Sequence, residues 1–439
     1  MSIARTTTLL LPALLLSSLC APQSPDPALV AYIDSIRAID NHAHVMAFSS
    51  GDDKGYDQLR CEELPPGTTL PPANLRFGPD VQAAWKALYD FSGSSASDEV
   101  LAALKARKDV ARKKYGDHYH DWVLQQAGID IVLANRLAMT PELGAHFRWV
   151  PYEDALLFPL DNSAAKAVNP DRRALFTMAE QLLRQYLQMT GVNAIPRTLD
   201  EYLAKVVTPT LERQARQGAV AIKFEAAYLR SLDFQPGDKK SASAVYARLV
   251  SPGNNADYTI LQNYLFRYLA AEAGRLGLAV HIHTGWGCGE FFDDPGSDPM
   301  LLASALNDPA LRHTNFVLLH GGTPFDRHMT TLITKPNVYA DMSLLELLFS
   351  PAEVARILRP WLEMMPEHVI FGTDSGPGSP GADWEETAWI GSRNARRALA
   401  IALTGMVADG NITTARAKEI ADQVLRRNAL ELYHLKPAP

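Results

Sequence analysis

The sequence predicts an α/β fold, a (β/α)8 TIM barrel that carries a long, mostly helical insertion after strand 1. Three observations support this fold class. Eight short apolar runs alternate with helical patterns, which is typical of a parallel sheet wrapped in helices. Five of the runs close on a histidine, lysine or aspartate, as buried strands do when they deliver side chains to a barrel mouth. The chain of 439 residues, 47% of them hydrophobic, is long enough for one barrel with insertions.

The first strand is predicted around residues 38–44. The segment that follows, residues 45–120, is too long for an ordinary connection between a strand and its helix. It contains a proline- and glycine-rich stretch at 64–73 and then helical patterns at 83–90 and 98–115. We expect this insertion to form a lid or cap on the barrel.

The remaining elements follow in alternating order. Strands two and three are predicted at 129–135 and 147–150, and helical periodicity at 174–189 and 199–217 leads into strand four. A helix over 258–276 runs to a glycine, which is typical of helix ends, before strand five. Strands four to eight are predicted at 219–223, 278–283, 316–320, 338–341 and 369–374. Two closing helices are predicted at 394–404 and 413–433.

Residues 1–21 have the pattern of a secretory signal peptide. A short basic region precedes the apolar stretch 9–16, and small residues follow it. This stretch is too short to span a bilayer comfortably, and no apolar run of about 20 residues follows, so no integral membrane segment is expected after signal removal. We expect a periplasmic or secreted protein whose mature barrel covers residues 28–437. Lipid anchoring at Cys20 is less favoured, because a leucine precedes that cysteine.

Removal of the signal would leave two cysteines, Cys61 and Cys288, which are too few for a disulfide framework. One bridge could form in an oxidising compartment, but the sequence does not place the two residues close together. Two unpaired, partly buried thiols are the favoured expectation.

The overall charge limits the class of partner. The formal net charge of −7 argues against a nucleic-acid surface, which would usually carry a basic patch. A small molecule is the expected partner, and a homo-oligomer is compatible with the sequence.

Five strand-ending segments supply ligands of the kind that metals use. His42 and His44 end strand one, where residues two apart point to the same side, so both can chelate one metal. On a helix the same spacing would turn the two side chains about 200° apart. The other segments end with Lys223, with His281 and His283, with His320 and with Asp374. In this order the five segments predict a site for one or two divalent metals.

The order His-x-His, Lys, His, His, Asp resembles the amidohydrolase superfamily, specifically its amidohydrolase-2 branch. Further similarity lies in the stretch 227–230, the run His283-Thr284-Gly285, the Gly-Thr-Asp strand and the closing stretch 427–430. The resemblance covers roughly residues 28–437. It implies a TIM barrel and one or two divalent metals per chain, most simply zinc. The implied metal ligands are His42, His44, Lys223, His283, His320 and Asp374.

Two of these residues are expected to act in catalysis. Asp374 would ligate the metal and accept a proton from bound water, whose pKa a metal lowers toward about 7. His320 would bind a second metal or polarise the carbonyl under attack. Just beyond the lysine strand, Tyr228 and Arg230 are expected to bind substrate, holding an oxyanion or a carboxylate. For these two residues, a structural role in a surface hydrogen bond and a surface ion pair is equally favoured.

Three roles for Lys223 remain open. An ammonium ion beside a metal is repelled and should lose its proton. The neutral amine can then add carbon dioxide and become a carbamate that bridges two metals, a role that the resemblance supports. Some members of this branch use one metal and no carbamate, so an uncarboxylated Lys223 could instead contact substrate. A structural ion pair, for instance with Glu225, is the third role.

For several other polar residues, the sequence gives weaker support for a role in the site. His118 and His120 follow a basic helical run and are expected at a solvated helix end, away from the metal ligands. His281 lies one layer deeper in strand five than His283, so a hydrogen-bonded core histidine is expected there. Arg136 and Trp286 are further candidates for substrate contact, with structural roles equally open. Residues 383–385 are a candidate wall of the pocket without an assigned role.

Together these patterns predict an exported metal-dependent hydrolase in which metal-activated water attacks an amide, lactone or ester carbonyl. The alternative is a metal-dependent decarboxylase of a carboxylic acid, since relatives in the same branch have a very similar site. The signal peptide and the position of Lys223 favour the hydrolase. A dipeptidase of the renal type, whose first strand carries His-x-Asp, and a non-catalytic binding protein are less favoured. Residues of the insertion are expected to determine the substrate specificity.

Overall fold

The computed structural model describes residues 24–47, 53, 55–57, 76–248 and 255–436. The predicted signal segment and Cys61 lie outside these residues, so export stays a prediction. No helix in the described ranges is long and apolar enough to cross a membrane. The strands are β1 (Ala38–Ala43), β2 (Ile129–Asn135), β3 (Phe147–Val150), β4 (Ala221–Phe224), β5 (Ala279–His283), β6 (Phe316–Leu319), β7 (Val338–Asp341) and β8 (Val369–Ile370).

The strands are parallel and form a ring. Pairing gives the orders β1-β2-β3 and β4-β5-β6-β7-β8. Between β3 and β4, Trp149 pairs with Ala219 in the parallel sense. Between β8 and β1, the amide of Asp374 donates to the carbonyl of His42 at 2.8 Å. The predicted barrel is confirmed, and its last seam joins two of the predicted ligands.

Helices surround the strands and form the described part of the insertion. They are α1 (Pro27–Ser35), α2 (Pro79–Tyr89), α3 (Asp98–Tyr115), α4 (Tyr119–Ala127), α5 (Asp154–Leu157), α6 (Ser163–Val168), α7 (Pro170–Met189), α8 (Leu199–Tyr202), α9 (Thr208–Arg216), α10 (Lys239–Ala247), α11 (Asn255–Arg275), α12 (Ala303–Leu306), α13 (Asp326–Leu332), α14 (Leu345–Leu348), α15 (Pro351–Met364), α16 (Trp384–Ala408), α17 (Thr414–Asp422) and α18 (Asn428–Leu432).

Three helix predictions need refinement. The helices predicted at 199–217 and 413–433 are continuous, but each contains a π turn, at Leu203–Val207 and Gln423–Arg427. The helix predicted at 394–404 is only the middle of α16. This helix begins earlier because Asp383 caps its first turn and Glu386 bonds back to the capping residue. Residues 383–385 are therefore the cap and first turn of α16.

The inside of the barrel is a packed core that is closed at one end. Inward-facing side chains of the strands form one apolar cluster, which also contains Ala429 and Leu432 of α18 and the following Tyr433. A larger cluster fills the layer between strands and helices. Since α18 closes the end where the strands begin, the functional site is expected where the strands finish.

A buried ionic cluster docks α3 of the insertion onto the barrel. Lys108 is 4% exposed, and its Nζ lies 2.7 Å from Asp383 Oδ2 and 2.9 Å from Glu386 Oε1. Arg112 lies 3.0 Å from Glu385 Oε1. Burial by itself would lower the pKa of Lys108, but these three carboxyl groups raise it, so the lysine is charged. The contacts hold α3 against the first turn of α16, while a lid role for residues 45–120 stays a prediction.

Replacing Lys108 with methionine should lower the free energy of unfolding by about 3 kcal/mol, because removing one partner leaves buried carboxylates uncompensated. Lys105→Met is the matched control on the same helix. Lys105 pairs with Asp109 on the surface, and its side chain is 74% exposed, so that change should cost less than about 1 kcal/mol. Denaturant unfolding of both variants measures the difference. Equal losses would contradict the docking role of Lys108.

Candidate metal centre

Six side chains that the sequence predicts as ligands meet at the mouth of the barrel. They lie at or just after the ends of five strands, which finish at the same rim although they are far apart in the chain. In chain order they are His42, His44, Lys223, His283, His320 and Asp374.

Asp374 is the centre of this group. Its Oδ1 lies 2.9 Å from His42 Nε2 and 3.3 Å from His44 Nε2. The two histidines reach the same carboxylate, as their spacing on a strand predicts. Burial by itself raises the pKa of a carboxyl, but His320, His44 and Lys223 hold the pKa of Asp374 at about 2. Asp374 is therefore an ionised carboxylate at neutral pH.

His320 extends the group on the other side. Its ring centroid lies 5.0 Å from that of His42, and ligand atoms of His42, His320 and Asp374 lie within 4.8 Å of one another. His320 and Asp374 have positive φ angles of 64° and 53°, a backbone conformation that residues other than glycine rarely adopt. Such strain persists only where the surrounding structure demands it, and it is common at functional sites.

His283 belongs to the group but does not point at its centre. Its ring centroid lies 4.6 Å from that of His320. Its Nε2, however, donates to the carbonyl of Trp286 at 3.1 Å, and its Nδ1 lies 3.5 Å from Glu225 Oε2. His283 thus holds the chain that follows β5, and metal ligation by His283 stays a prediction.

Most of the histidines are neutral. Burial and the nearby Lys223 lower the pKa of His283 to about 3 and the pKa of His42 well below its ordinary value. Burial also lowers the pKa of His320. His44 differs, because burial opposes its charge but the adjacent Asp57 and Asp374 raise its pKa. Neutral imidazole is the form in which histidine binds a metal.

Hydrogen bonds hold the ring nitrogens that face away from Asp374. The partners of these Nδ1 atoms are Ser343 Oγ for His320 at 3.0 Å, the side-chain amide of Asn135 for His42, and Asp57 Oδ2 for His44 at 2.7 Å. A histidine held at Nδ1 presents Nε2 to a metal. Imidazole nitrogens together with one carboxylate fit a divalent metal such as zinc.

Lys223 forms an ion pair inside the site. It is fully buried, and its Nζ lies 2.8 Å from Glu225 Oε1 and 3.5 Å from His42 Nε2. Of the three roles that the sequence leaves open for Lys223, the pair with Glu225 is the one present in this structure. Metal ligation and carboxylation of Lys223 stay predictions.

The two predicted substrate-binding residues occupy different positions. The ring of Tyr228 lies 4.6 Å from that of His283, beside the site. Arg230 is directed at α11, where it donates to Gln262 Oε1 at 3.0 Å and to Asn263 Oδ1 at 3.1 Å. Its remaining hydrogen bonds go to neighbouring backbone carbonyls. This geometry favours a structural role for Arg230, and substrate contact by either residue stays a prediction.

Other expectations are confirmed or corrected by the contacts. His281 is the expected core histidine, with Nε2 2.6 Å from the hydroxyl of Tyr433. His118 is exposed as expected. The solvated position expected for His120 is wrong, because α4 packs this residue against Trp384 with ring centroids 5.4 Å apart. Its Nε2 also contacts the carbonyl of Met46 at 3.2 Å.

Two further residues have structural roles. Arg136 is fully buried, and its Nη2 lies 2.6 Å from Asp53 Oδ1. Cys288 is 6% exposed and takes part in a disulfide bond whose partner lies outside the described residues. The expectation of unpaired thiols is therefore wrong for Cys288, since sequence separation carries no information on distance in the fold.

The sequence prediction omitted the residues that orient the ligands. Asn135 ends β2 and Asp341 ends β7, so the signal used for the ligands, a polar residue at a strand end, would have identified both. Asp341 accepts a bond from Ser343, the partner of His320. Asp57 lies in the insertion, where no periodic pattern pointed to it.

Comparison with known sequences agrees with this site. The amidohydrolase family model matches residues 39–435, nearly all of the described barrel. Protein fluG of Emericella nidulans is 28% identical over 239 residues. That match covers 51% of this chain but only 27% of fluG, so the matched region spans about a quarter of the length of this relative.

Solved structures share the fold at low identity. A protein from Lactobacillus casei described as a metal-dependent hydrolase is 16% identical with a TM-score of 0.56, over 92% of this chain and 97% of that one. Uronate isomerase from Thermotoga maritima is 13% identical with a TM-score of 0.58, over 92% and 96% of the two chains. Such similarity shows the fold alone. With the family match over residues 39–435, the chain belongs to the amidohydrolase family and is an enzyme of that type.

Proposed function

We propose that this protein is a metal-dependent hydrolase that attacks the carbonyl of a small molecule, most simply an amide, lactone or ester. The observation that carries the proposal is the ionised Asp374, whose Oδ1 contacts both His42 and His44 at the barrel mouth. Membership of the amidohydrolase family supports the same reaction class. Zinc is the proposed metal, because imidazole and carboxylate ligands suit it.

The chain supplies the ligands from three strand ends. His42, His44, His320 and Asp374 would hold the metal, with His283 beside them. A bound divalent metal polarises a carbonyl and activates water. The protein orients the ligand nitrogens through their Nδ1 partners, so the binding atoms are arranged in advance.

Asp374 would move the proton during hydrolysis. As a charged carboxylate it can accept a proton from the attacking water and return it to the leaving group. Its side chain is 17% exposed, so water or substrate can reach it. Beside the site, burial raises the pKa of Tyr228, so its hydroxyl remains protonated and can donate to a developing oxyanion.

Lys223 acts as the ion-pair partner of Glu225 in this proposal. Its Nζ lies 2.8 Å from the Glu225 carboxylate, so the two buried side chains balance each other. A carbamate on Lys223 is the competing assignment, and it would bring a second negative charge close to Glu225. The number of metals bound per chain separates the two.

The reaction type is tested by supplying amides, lactones, esters, carboxylic acids and uronates to zinc-loaded enzyme in water enriched in oxygen-18. A hydrolase should transfer one labelled oxygen to the carboxylate product, which mass spectrometry detects. Carbon dioxide release without hydrolysis would support the decarboxylase instead. Conversion of a uronate to an isomer of the same mass would also contradict the proposal.

Replacing Asp374 with asparagine should lower kcat at least about 10²-fold, because the amide keeps the shape of the side chain but cannot accept the proton. The matched control is Asp409→Asn, since Asp409 pairs with Arg359 on the surface and its side chain is 57% exposed. The control should keep its turnover within about twofold. Near-normal turnover by Asp374→Asn would reject the proton-transfer role.

Replacing Lys223 with alanine should leave the metal content per chain unchanged while kcat/KM falls at least about tenfold. Lys223→Ala also leaves the buried carboxylate of Glu225 without its partner, which should lower the stability. The double variant Lys223→Met, Glu225→Gln removes that carboxylate, so it should recover stability but not activity. Metal analysis measures the metal content, thermal unfolding the stability and steady-state kinetics the activity. A fall from two metals toward one or none, with activity restored by a short carboxylic acid, would instead support the carbamate bridge.

A further inference from the structure

His44 is held by a carboxylate that comes from the insertion. Asp57 Oδ2 lies 2.7 Å from His44 Nδ1, and Asp57 is only 5% exposed. The hydroxyl of Tyr152 donates to the other oxygen of Asp57 and lies 3.2 Å from the same ring nitrogen. Tyr152 is fully buried, so both partners of His44 are shielded from water.

The imidazole of His44 thus lies between two carboxylates. Asp57 contacts Nδ1, and Asp374 Oδ1 lies 3.3 Å from Nε2 on the opposite side of the ring. A carboxylate at Nδ1 accepts the ring N–H, so in the neutral imidazole, the form that binds a metal, the lone pair of Nε2 faces the centre of the site. This contact also makes the imidazole a more basic ligand.

The other histidines in contact with Asp374 or near it have weaker partners at Nδ1. His42 contacts the neutral amide of Asn135, and His320 lies 3.0 Å from the hydroxyl of Ser343. Among these three histidines only His44 has a carboxylate at Nδ1. The insertion therefore adds the one carboxylate among these Nδ1 partners.

Contacts of the neighbouring residues fix the position of Asp57. The buried Arg136 binds both carboxylate oxygens of Asp53, with Nη2 2.6 Å from Oδ1 and Nη1 3.0 Å from Oδ2. The amide of Ala138 donates to the carbonyl of Gly55 at 3.2 Å. A Cβ atom at Gly55 would lie 2.8 Å from the carbonyl oxygen of Ala138, so the close approach depends on glycine. The turn before Asp57 is thereby fastened to the chain after β2.

We propose that Asp57 is a positioning residue that acts through His44 and sets the affinity of the barrel mouth for a divalent metal. The inference deepens the proposed function and rests on its metal site, but not on the reaction. The insertion after strand one then completes the metal centre, in addition to any part in choosing the substrate.

The test measures zinc affinity by competition with a chromophoric chelator. Asp57→Ala should weaken zinc binding about 10- to 100-fold, the usual cost of losing a carboxylate partner of a ligand histidine. Asp57→Asn keeps an acceptor for the ring N–H without its charge, so its affinity should lie between alanine and wild type. Formate, which can fill the space left in Asp57→Ala, should restore part of the affinity.

A spectroscopic signature separates positioning from a merely structural role. The visible spectrum of the cobalt-substituted protein should change in Asp57→Ala and return toward wild type with formate. The control is Asp80→Ala, which removes the same charge from the insertion at a surface pair with Arg393. The control should bind zinc within about twofold of wild type.

The outcomes distinguish this inference from the proposed function. Unchanged zinc affinity and an unchanged cobalt spectrum in Asp57→Ala would overturn the inference. It would also be overturned if metal-free Asp57→Ala unfolded at a lower temperature than metal-free wild type and formate restored none of its zinc affinity. If wild type binds zinc with the expected dependence on Asp57 but hydrolyses no carbonyl compound, the proposed function fails while the inference stands. Absence of zinc binding by wild type would overturn both.

Discussion

The contact of Asp374 with His42 and His44, at the end of β1, is the constraint on which the rest of the structure depends, because it lies where the barrel closes. The backbone of Asp374 donates to the carbonyl of His42 at 2.8 Å, while its side chain meets both His42 and His44. One residue earlier, the amide of Thr373 donates to Asp40 Oδ1 at 2.9 Å, which fastens the same two strands. The same contacts therefore close the ring and bring the site residues together. A change that opened this seam would displace the carboxylate that the chemistry needs.

Two buried cations of the molecule are balanced locally. Lys223 has Glu225 at 2.8 Å, and Lys108 has Glu386 at 2.9 Å. An isolated buried charge would be costly, so each cation is matched by an acid at hydrogen-bonding distance. The site keeps a carboxylate, Asp374, that is charged yet partly reachable from outside. That combination distinguishes Asp374 from Glu225 and Glu386, whose side chains are almost fully enclosed.

Two of the contacts between the insertion and the barrel have different consequences. Through Lys108 on α3 it is docked on the first turn of α16, and through Asp57 it reaches a ligand histidine. The strands supply the ligands, whereas the insertion supplies an acceptor that orients one of them. Since function in a barrel is carried by residues at its mouth and not by the fold itself, such a contribution can differ between relatives that share the strands.

The sequence by itself determined the barrel, most of its elements and the six residues that meet at its mouth. Apolar runs of strand length and polar residues at their ends are local patterns, so strand positions such as Ile129–Asn135 and the spacing of His42 and His44 could be predicted from them. Only the tertiary structure decided which partners these residues have. It paired Lys223 with Glu225, turned Arg230 toward α11, buried His120 against Trp384 and brought Asp57 to His44. Each of these outcomes is a contact between side chains whose orientation depends on the packing of several elements, and a local pattern contains no information on that packing.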